Sequence, residues 1–354
     1  MRSSYNILIL GASYGSLLAT KLLFGGHRVT LVCLPDEVDL INVSGVLVRM
    51  PIKGRKEDVE IDSTTLPGSL SAAAPTEVTV AQYELVALAM QEPQYRAPEV
   101  RQLLAEIAHA RVPCLSIMNM PPWPYLARIP GVDQDTCRDC YTDASVWDAF
   151  DPALVTLCSP DPQAFRPPGE PLNLLQVRLP TNFKAAAFSD QSHTALLKEL
   201  ATDIEAARFD TGEGQIELPV KLKVHQSVFV PLAKWSMLLA GNYRCVLSDS
   251  IRSIKDSVHG DPEESRAMYE WVTGLCVSLG ANPDDLVPFD KYANAALSLQ
   301  NPSSAARAID AGAPHIERVD RLVQCIAASC SQQNPLLDDI VSTVDQRLEK
   351  NRKA

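Results

Sequence analysis

Residues 11–15, Gly-Ala-Ser-Tyr-Gly, fit two motifs that serve different chemistries. As G-x-S-x-G, the stretch would present Ser13 as the nucleophile on the sharp strand-to-helix turn of an α/β-hydrolase. As a shortened glycine-rich turn, the same residues would hold the pyrophosphate of a dinucleotide at the N-terminus of a helix. The two interpretations require different elements around the turn, so the flanking sequence separates them.

The position of this turn in the chain favours the dinucleotide. A nucleophile elbow needs earlier strands, whereas only one strand-like run, "YNILIL", precedes Ser13. A helical pattern and a second strand, "HRVTLVCL", follow, so a βαβ unit closes within about thirty residues. Gly11 allows the tight turn, and Gly15 permits either close backbone approach or close helix–strand packing. We therefore predict that the cofactor is bound by Gly11, Ala12, Ser13, Tyr14 and Gly15.

The end of the second strand leaves the choice between NAD and NADP open. An acidic residue at this point favours NAD, and an arginine favours the 2′-phosphate of NADP. Residues 33–37 are Cys-Leu-Pro-Asp-Glu, so the acids come late and arginine is missing. Basic side chains of the next predicted hairpin could approach instead, namely Arg49, Lys53 or Arg55.

A second set of residues with chemical potential lies in "VFVPLAKWSMLLAGNYRCV". Lys234 stands among apolar residues, and Asn242 follows eight positions later, so both side chains project to roughly one side of a helix. An ammonium group among apolar neighbours gives up its proton more readily than one in water, which suits proton transfer. A surface lysine whose aliphatic stem covers apolar neighbours is the structural alternative.

The elements that position these residues change in type along the chain. Strands and helices alternate over the first ninety residues, with continuous apolar strands typical of a parallel sheet covered on both faces. Further strands, "LVTLC" and "LNLLQVRL", resemble late strands of the same sheet. Only helices follow about residue 193, including a long one over 219–246 that is kinked or interrupted around Pro231. We predict an α/β fold: an N-terminal Rossmann-type, doubly wound parallel sheet (1–205) followed by an all-α C-terminal domain (206–354).

Composition limits the classes of partner and the compartment. A chain of 354 residues should form two domains, since a single hydrophobic core stops growing at about 250–300 residues. A net charge of −11 argues against nucleic-acid binding, and the sequence has neither an 18-residue apolar run nor a signal peptide. Nine dispersed cysteines suit a reducing cytoplasm. The only CxxC, Cys137–Cys140, has no second pair, so no metal site is predicted.

Five segments of the sequence together resemble the ketopantoate reductase family, which joins a Rossmann domain to a helical C-terminal domain. The resemblance covers most of the chain. The segments, in chain order, are "ILILGASYGSLLATKLLFGGHRVTLV", "LVALAMQ", "SIMNMP", "AKWSMLLAGN" and "NPSSAARAIDAGAPHIERVDRLV". They are similar to the family's opening, its fourth strand, its strand-end asparagine, its Lys-x-x-x-Asn-x-x-x-Asn helix and its Ser-Ser region.

This resemblance implies an NADP- or NAD-dependent oxidoreductase that acts on a 2-oxo or 2-hydroxy acid, and a homodimer. It implies that Lys234 is the general acid that protonates the carbonyl oxygen as hydride arrives. Asn119 would lie beside the nicotinamide and the substrate, Asn242 on the substrate's polar groups and Ser304 on its carboxylate. The structural alternatives are a turn at Asn119 and a helix cap at Ser303 or Ser304.

The sequence departs from the family pattern at positions that face the ligands. Leu238 replaces the first asparagine of the helix, and Met90, which precedes the predicted cofactor residue Gln91, stands where a lysine is usual. His315 occupies the place of the family's essential glutamate, with Glu317 nearby. We therefore predict His315 as a third catalytic residue, Met90 and Gln91 as cofactor contacts, and an altered substrate pocket.

Two other functions fit the same sequence. An opine-type dehydrogenase, which reduces an imine made from an oxo acid and an amine, would use His225 or His315 for proton transfer in place of Lys234. A dinucleotide-binding sensor without catalysis would also explain the altered positions.

Overall fold

The computed structural model describes residues 4–353 and forms two compact units, each made of separate stretches of chain. The first unit comprises residues 4–90, 94–118 and 146–226. The second comprises residues 91–93, 119–145 and 227–353. The domain boundary predicted at residues 205/206 stays a prediction. The last stretch of the first unit ends at Gln226.

The first unit contains the strands of the described chain. In chain order they are β1 (Asn6–Leu10), β2 (Arg28–Val32), β3 (Leu47–Met50), β4 (Val59–Asp62), β5 (Ser69–Ala73), β6 (Leu85–Leu88), β7 (Cys114–Ile117), β8 (Val155–Ser159), β9 (Gln163–Phe165), β10 (Leu174–Leu179), β11 (Phe183–Ala186), β12 (Phe209–Asp210), β13 (Gln215–Ile216) and β14 (Leu222–His225). Its helices are α1 (Ala12–Phe24), α2 (Pro35–Ser44), α3 (Pro98–Ala110) and α4 (Gln191–Ala206).

The main sheet has eight strands in the order β14-β11-β8-β7-β6-β1-β2-β5. Pairing is parallel from β5 to β8, antiparallel between β8 and β11, and parallel again to β14. The chain reverses direction across the sheet between β1 and β6, which is the switch point where doubly wound sheets bind their ligands. Leu10 lies opposite both Val32 and Leu88, so the loops after β1, β2 and β6 leave the sheet at one edge. The predicted Rossmann-type sheet is confirmed.

A second sheet of four strands, in the order β4-β3-β10-β9, accompanies the main sheet. The predicted hairpin is present as β3 and β4, which pair antiparallel, with Gly54 between them at φ +88°. The segment "LNLLQVRL" does not continue the main sheet, contrary to the sequence interpretation. It forms β10 and pairs in parallel with β3, since Leu174 lies opposite Leu47.

The second unit is helical, as predicted. Its helices are α5 (Lys234–Met237), α6 (Ile254–His259), α7 (Pro262–Ser278), α8 (Phe289–Ala296), α9 (Ser304–Asp310), α10 (Val319–Ser329) and α11 (Pro335–Lys353). Several begin with caps predicted by their residue types; Asp261, for example, accepts a hydrogen bond from the amide of Glu264 at 2.9 Å and precedes Pro262. A search of residues 4–353 found no helix with the length and apolar character needed to span a membrane.

The helix expected over 219–246 is wrong for the residues before Pro231, whereas the predicted interruption around Pro231 is confirmed and helical turns follow it. Residues Leu222–His225 form strand β14 because their backbone pairs with β11. After it, a 3₁₀ turn at Pro231–Ala233 leads into α5, and a π-helical turn follows at Leu238–Asn242. Proline lacks the N–H that a continuous helix needs, and π turns are frequent at functional sites.

Substitution of Gly11 tests how tightly the first turn is built. Gly11 has φ +104°, and a Cβ atom there would approach Met90 Cγ to 2.7 Å and the Ala89 carbonyl oxygen to 2.8 Å. Gly26 has φ +81° with nothing within 4 Å of its Cβ position, so Gly26→Ala is the matched control. Both changes incur about 1–2 kcal/mol for the left-handed backbone, and Gly11→Ala adds the clash. We expect urea unfolding to show a larger loss of stability for Gly11→Ala; equal losses would contradict this packing.

Candidate functional site

The turn after β1 leaves the N-terminus of α1 open. The Gly11 amide donates to the Val32 carbonyl oxygen at 2.9 Å, and α1 begins at Ala12. No side chain of the described residues caps this end of the helix, and Ser13 is exposed. The first amides of a helix have no partner within the helix and attract anions. The turn therefore has the donors that a cofactor diphosphate requires.

Gly15 serves close helix–strand packing, one of the two roles that the sequence left open. A Cβ atom at Gly15 would lie 2.7 Å from Ile9 Cγ2, so β1 and α1 approach each other too closely for a side chain. The other glycine of the motif, Gly11, has the positive φ that the turn needs. The shortened motif thus has a distinct physical reason for each glycine.

Tyr14 contributes to this turn through its backbone, because its side chain is used elsewhere in the first unit. The Tyr14 hydroxyl donates to the Pro162 carbonyl oxygen at 2.8 Å, and its ring packs edge-on against Phe183. Burial, and then the nearby Cys158 and Asp161, raise the pKa of Tyr14 well above its usual value. Tyr14 is therefore a neutral anchor for the loop after β8.

Of the other predicted cofactor residues, Met90 lies against the turn. Its Cγ is the atom nearest to the Cβ position of Gly11, and its amide donates to the Tyr95 hydroxyl at 3.1 Å. Gln91 is exposed and begins the short stretch 91–93 that belongs to the second unit.

An ion pair lies beyond the end of β2, where the ribose of a dinucleotide is recognised. The Glu37 carboxylate accepts from the Leu34 amide at 3.2 Å and pairs with the Arg166 guanidinium. Burial raises the pKa of Cys33 to about 12; Glu37 adds to this shift and Arg166 opposes it. Arg166 follows β9, 133 positions after Cys33, so local sequence could not identify it as the missing basic group.

The second unit brings three polar side chains together around a buried carboxylate. Asn119 Nδ2 donates to Glu317 Oε2 at 3.1 Å. Burial raises the pKa of Glu317 to about 7, the Asn119 hydrogen bond and the Lys234 charge oppose that rise, and the Glu92 charge adds to it. Glu317 therefore changes protonation much nearer neutral pH than an ordinary glutamate and does so within electrostatic range of Lys234, an arrangement suited to proton transfer.

Two further interactions fix Glu317. The Glu92 backbone amide donates to its carboxylate. Glu92 is itself buried, and its carboxylate accepts from the Thr142 amide at 2.9 Å and the Thr142 hydroxyl at 2.8 Å. The Tyr243 hydroxyl donates to the Glu317 carbonyl oxygen at 2.5 Å and accepts from the Val319 amide at 2.9 Å. Glu317 is thus held in place by contacts to both its side chain and its backbone.

The two polar atoms of the Asn119 side chain differ in their partners. Within the described part of the chain, Asn119 Oδ1 is buried and has no hydrogen-bond partner, although its amide nitrogen is bonded to Glu317. A buried polar atom without a partner costs about 1–3 kcal/mol, so such atoms commonly mark a place where a ligand or water binds. Asn119 Oδ1 is therefore available to accept a hydrogen bond.

The remaining predicted residues of the second unit, Asn242, Ser304 and His315, differ in their surroundings. Asn242 ends the π turn, and its carbonyl oxygen accepts from the Ser303 hydroxyl at 2.7 Å. Ser303 also caps α9 by accepting from the Ala306 amide at 3.1 Å, whereas Ser304 is the exposed first residue of that helix. His315 is partly buried and stands two positions before Glu317.

Glu317 was missing from the predicted catalytic set, which had His315 at the family's glutamate position. The signal in the sequence was an acidic residue directly after Ile316 in "PHIERVD", two positions beyond the residue that was predicted. The carboxylate that contacts Asn119 belongs to Glu317. Among the described residues, no group of three or more His, Cys, Asp or Glu side chains is arranged to hold a metal ion.

Comparison with known proteins gives similarity at the level of the fold. No protein-family model matches the chain, and no curated protein matches it. The fold is similar to that of 2-dehydropantoate 2-reductase from Methylococcus capsulatus, with a TM-score of 0.66 and 14% identity over 99% of this chain and 98% of the other. It is also similar to a D-mandelate dehydrogenase in complex with NADH and anilino(oxo)acetate (TM-score 0.63, 14% identity, 98% and 99% covered).

A dimeric ketopantoate reductase from Staphylococcus aureus has the same fold, with a TM-score of 0.61 and 12% identity over 98% of this chain and 99% of the other. These structures confirm the predicted resemblance to ketopantoate reductases at the level of the fold, over nearly the whole chain and at low sequence identity.

The raised pKa of Glu317 predicts how stability depends on pH. A carboxyl whose pKa is higher in the folded than in the unfolded state stabilises the fold while protonated, and this stability is lost as pH rises from about 4.5 to about 7. We expect wild type to lose up to about 3 kcal/mol relative to Glu317→Gln across this range. Urea unfolding at several pH values measures the difference. The exposed Glu263→Gln is the control, and parallel curves for wild type and Glu317→Gln would contradict the shift.

Proposed function

We propose that this chain is an oxidoreductase that transfers hydride between a nicotinamide dinucleotide and a 2-oxo or 2-hydroxy acid. The observation that carries the proposal is the buried Glu317 carboxylate, which contacts Asn119 and lies within electrostatic range of Lys234. The open helix N-terminus after β1 supports dinucleotide binding by the first unit. The likeness to a mandelate dehydrogenase and to ketopantoate reductases supports the reaction class.

The second unit supplies a proton where charge develops in the reaction. A bound nicotinamide supplies or accepts the hydride. Reduction converts the carbonyl at C2 of an oxo acid to an alkoxide, and the Lys234 ammonium protonates that oxygen. Protonated Glu317 can return a proton to the neutral Lys234 that remains after transfer, and the Glu317 carboxylate then stabilises the ammonium that is formed again. In the reverse direction, neutral Lys234 accepts the hydroxyl proton.

Asn119, Asn242 and Ser304 orient the substrate in this proposal. The unpartnered Asn119 Oδ1 accepts from a hydroxyl or an amide N–H of a bound ligand. Asn242 and Ser304 are proposed to contact the polar groups and carboxylate of the substrate, and His315 is proposed to lie at its edge. The buried Leu238 in place of a polar residue supports a pocket of different polarity from that of ketopantoate reductases.

The first unit binds the cofactor in this proposal. Gly11–Gly15 hold the diphosphate through the amides of α1, with Met90 packed behind the turn and Gln91 following it. Arg166 is the basic group available for a 2′-phosphate, and Glu37 is the acid available for a ribose diol. Because Arg166 and Glu37 pair with each other, the charge of each side chain weakens the interaction of the other with the cofactor.

The proposal extends to the oligomeric state and the cellular compartment. A homodimer is proposed on the likeness to the dimeric reductase of Staphylococcus aureus. A cytoplasmic location is proposed because the nine cysteines are all unpaired, as in a reducing compartment. Light scattering of the purified protein measures the oligomeric state.

Removal of Lys234 tests the reaction. We expect Lys234→Ala to lower kcat by about 10²–10⁴-fold for 2-oxo acids, because positioned acids contribute on this scale. Oxidation of NADH and NADPH is followed with a panel of 2-oxo acids, with and without added amines. The exposed Lys291→Ala is the control. Unchanged turnover in Lys234→Ala contradicts the role of Lys234, and turnover that requires an amine favours an opine-type dehydrogenase.

Cofactor preference is tested at the ion pair beyond β2. We expect Arg166→Gln to weaken NADPH binding more than NADH binding, because it removes the cation available to the 2′-phosphate. Glu37→Gln should strengthen NADPH relative to NADH, because it frees Arg166. Fluorescence titration gives the ratio of the two dissociation constants. Identical ratios in wild type and both variants would show that this pair does not contact the cofactor.

A further inference from the structure

Three thiols of the second unit meet outside the candidate site. Cys137 and Cys140 lie on the 3₁₀ helix Gln134–Cys140, where side chains three positions apart share one face. Cys325 lies on α10, and its thiol is in hydrogen-bond contact with the thiols of both Cys137 and Cys140. It also donates to the Thr136 carbonyl oxygen at 3.0 Å. The lone CxxC of the sequence therefore has a third cysteine that the fold supplies.

The thiols differ in access to solvent. Cys137 is fully buried and Cys140 is 6% exposed, whereas Cys325 is partly exposed. Cys140 and Cys325 line a cavity of about 430 Å³. A reagent that enters this cavity can reach Cys325 and Cys140, whereas Cys137 is not among the residues that line it.

The cavity that reaches these thiols has both polar and apolar walls. Its charged side chains are Arg321, Asp139 and Asp338, its amides include Gln324, Gln332 and Asn334, and Trp271, Ala327, Ala328 and Leu337 form apolar walls. The Arg321 guanidinium pairs with Asp345 at 2.7 Å. Burial raises the pKa of Cys140, and the nearby Arg321 opposes that rise. A cation, carboxylates and several amides together suit a small ligand that carries carboxylates, amines and peptide bonds.

We propose that this thiol cluster (Cys137, Cys140 and Cys325) is a thiol–disulfide exchange site for a low-molecular-weight disulfide that carries carboxylates. It is independent of the oxidoreductase proposal, because none of its residues belongs to the Lys234 site. The thiolate, not the thiol, is the nucleophile in such exchange. Cys325 is the attacking group because it is the most accessible of the three.

The exchange proceeds in two balanced steps. The Cys325 thiolate attacks one sulfur of the disulfide RS–SR, forms a Cys325–SR mixed disulfide and releases RS⁻. The Cys140 thiolate then attacks Cys325 Sγ, forms the Cys140–Cys325 bond and releases the second RS⁻. The two thiol protons of the protein end on the two released RSH molecules, and the two electrons reduce the entering disulfide.

The test uses the reduced full-length protein and oxidised glutathione, a disulfide with carboxylates and peptide bonds. We expect intact-mass analysis to show the loss of two hydrogen atoms. Trypsin cleaves after Arg138 and so separates Cys137 from Cys140. Cys158 lies on the same tryptic peptide as Cys140, so fragmentation of the cross-linked peptide identifies which of the two is the partner. The uncharged bis(2-hydroxyethyl) disulfide should react several-fold more slowly.

Variants separate the two steps. Cys325→Ser should abolish the reaction, and Cys140→Ser should stop at a mixed disulfide that retains one glutathionyl group. Cys330→Ser, on the same tryptic peptide and outside the cavity, is the control and should react like wild type. Circular dichroism establishes whether each variant folds. If Cys325→Ser does not fold, the trapped mixed disulfide in Cys140→Ser still tests the proposal. No mass change in wild type, a Cys137–Cys140 bond, or a persistent mixed disulfide in wild type would overturn the proposal.

Discussion

The candidate site depends on the free energy of keeping one carboxyl group, that of Glu317, out of water. An isolated carboxylate in a protein interior is strongly disfavoured, so it must be hydrogen-bonded, paired or protonated. Here Asn119 and the Glu92 amide donate to it, Lys234 contributes a positive charge, and its pKa still rises to about 7. The balance leaves the group able to hold or release a proton at neutral pH. Lys234 and Asn119 contribute to this balance because both stabilise the ionised form of Glu317.

Strand and helix periodicity in the sequence was sufficient to predict the fold. The strand β1 and the glycine turn after it predicted a Rossmann-type sheet because a continuous apolar run followed by Gly11 and a helical pattern has few other solutions. The helical second unit was equally clear from periodicity and caps such as Asp261. The errors concern long-range pairing: β10 joins β3, and β14 joins β11, through backbone hydrogen bonds that no local pattern encodes.

The site was only partly predictable for the same reason. Lys234 and Asn119 stand out by residue type and position, whereas Glu317 becomes notable only when the fold buries it beside Asn119. The π turn at Leu238–Asn242 changes which side chains share a face, so steps of 3.6 residues from Lys234 do not hold across it. Arg166 and Cys325 were inaccessible to motif arguments because their partners lie far away in the sequence.

The most direct measurement is the protonation of Glu317 itself, by infrared difference spectroscopy of wild type against Glu317→Gln over a pH titration. The account predicts a protonated carboxyl band that disappears with a midpoint near 7. In Lys234→Met the midpoint should move upward, because the neighbouring positive charge is gone. A midpoint near 4.3, the ordinary value for glutamate, or one that is the same with and without Lys234, would contradict the account.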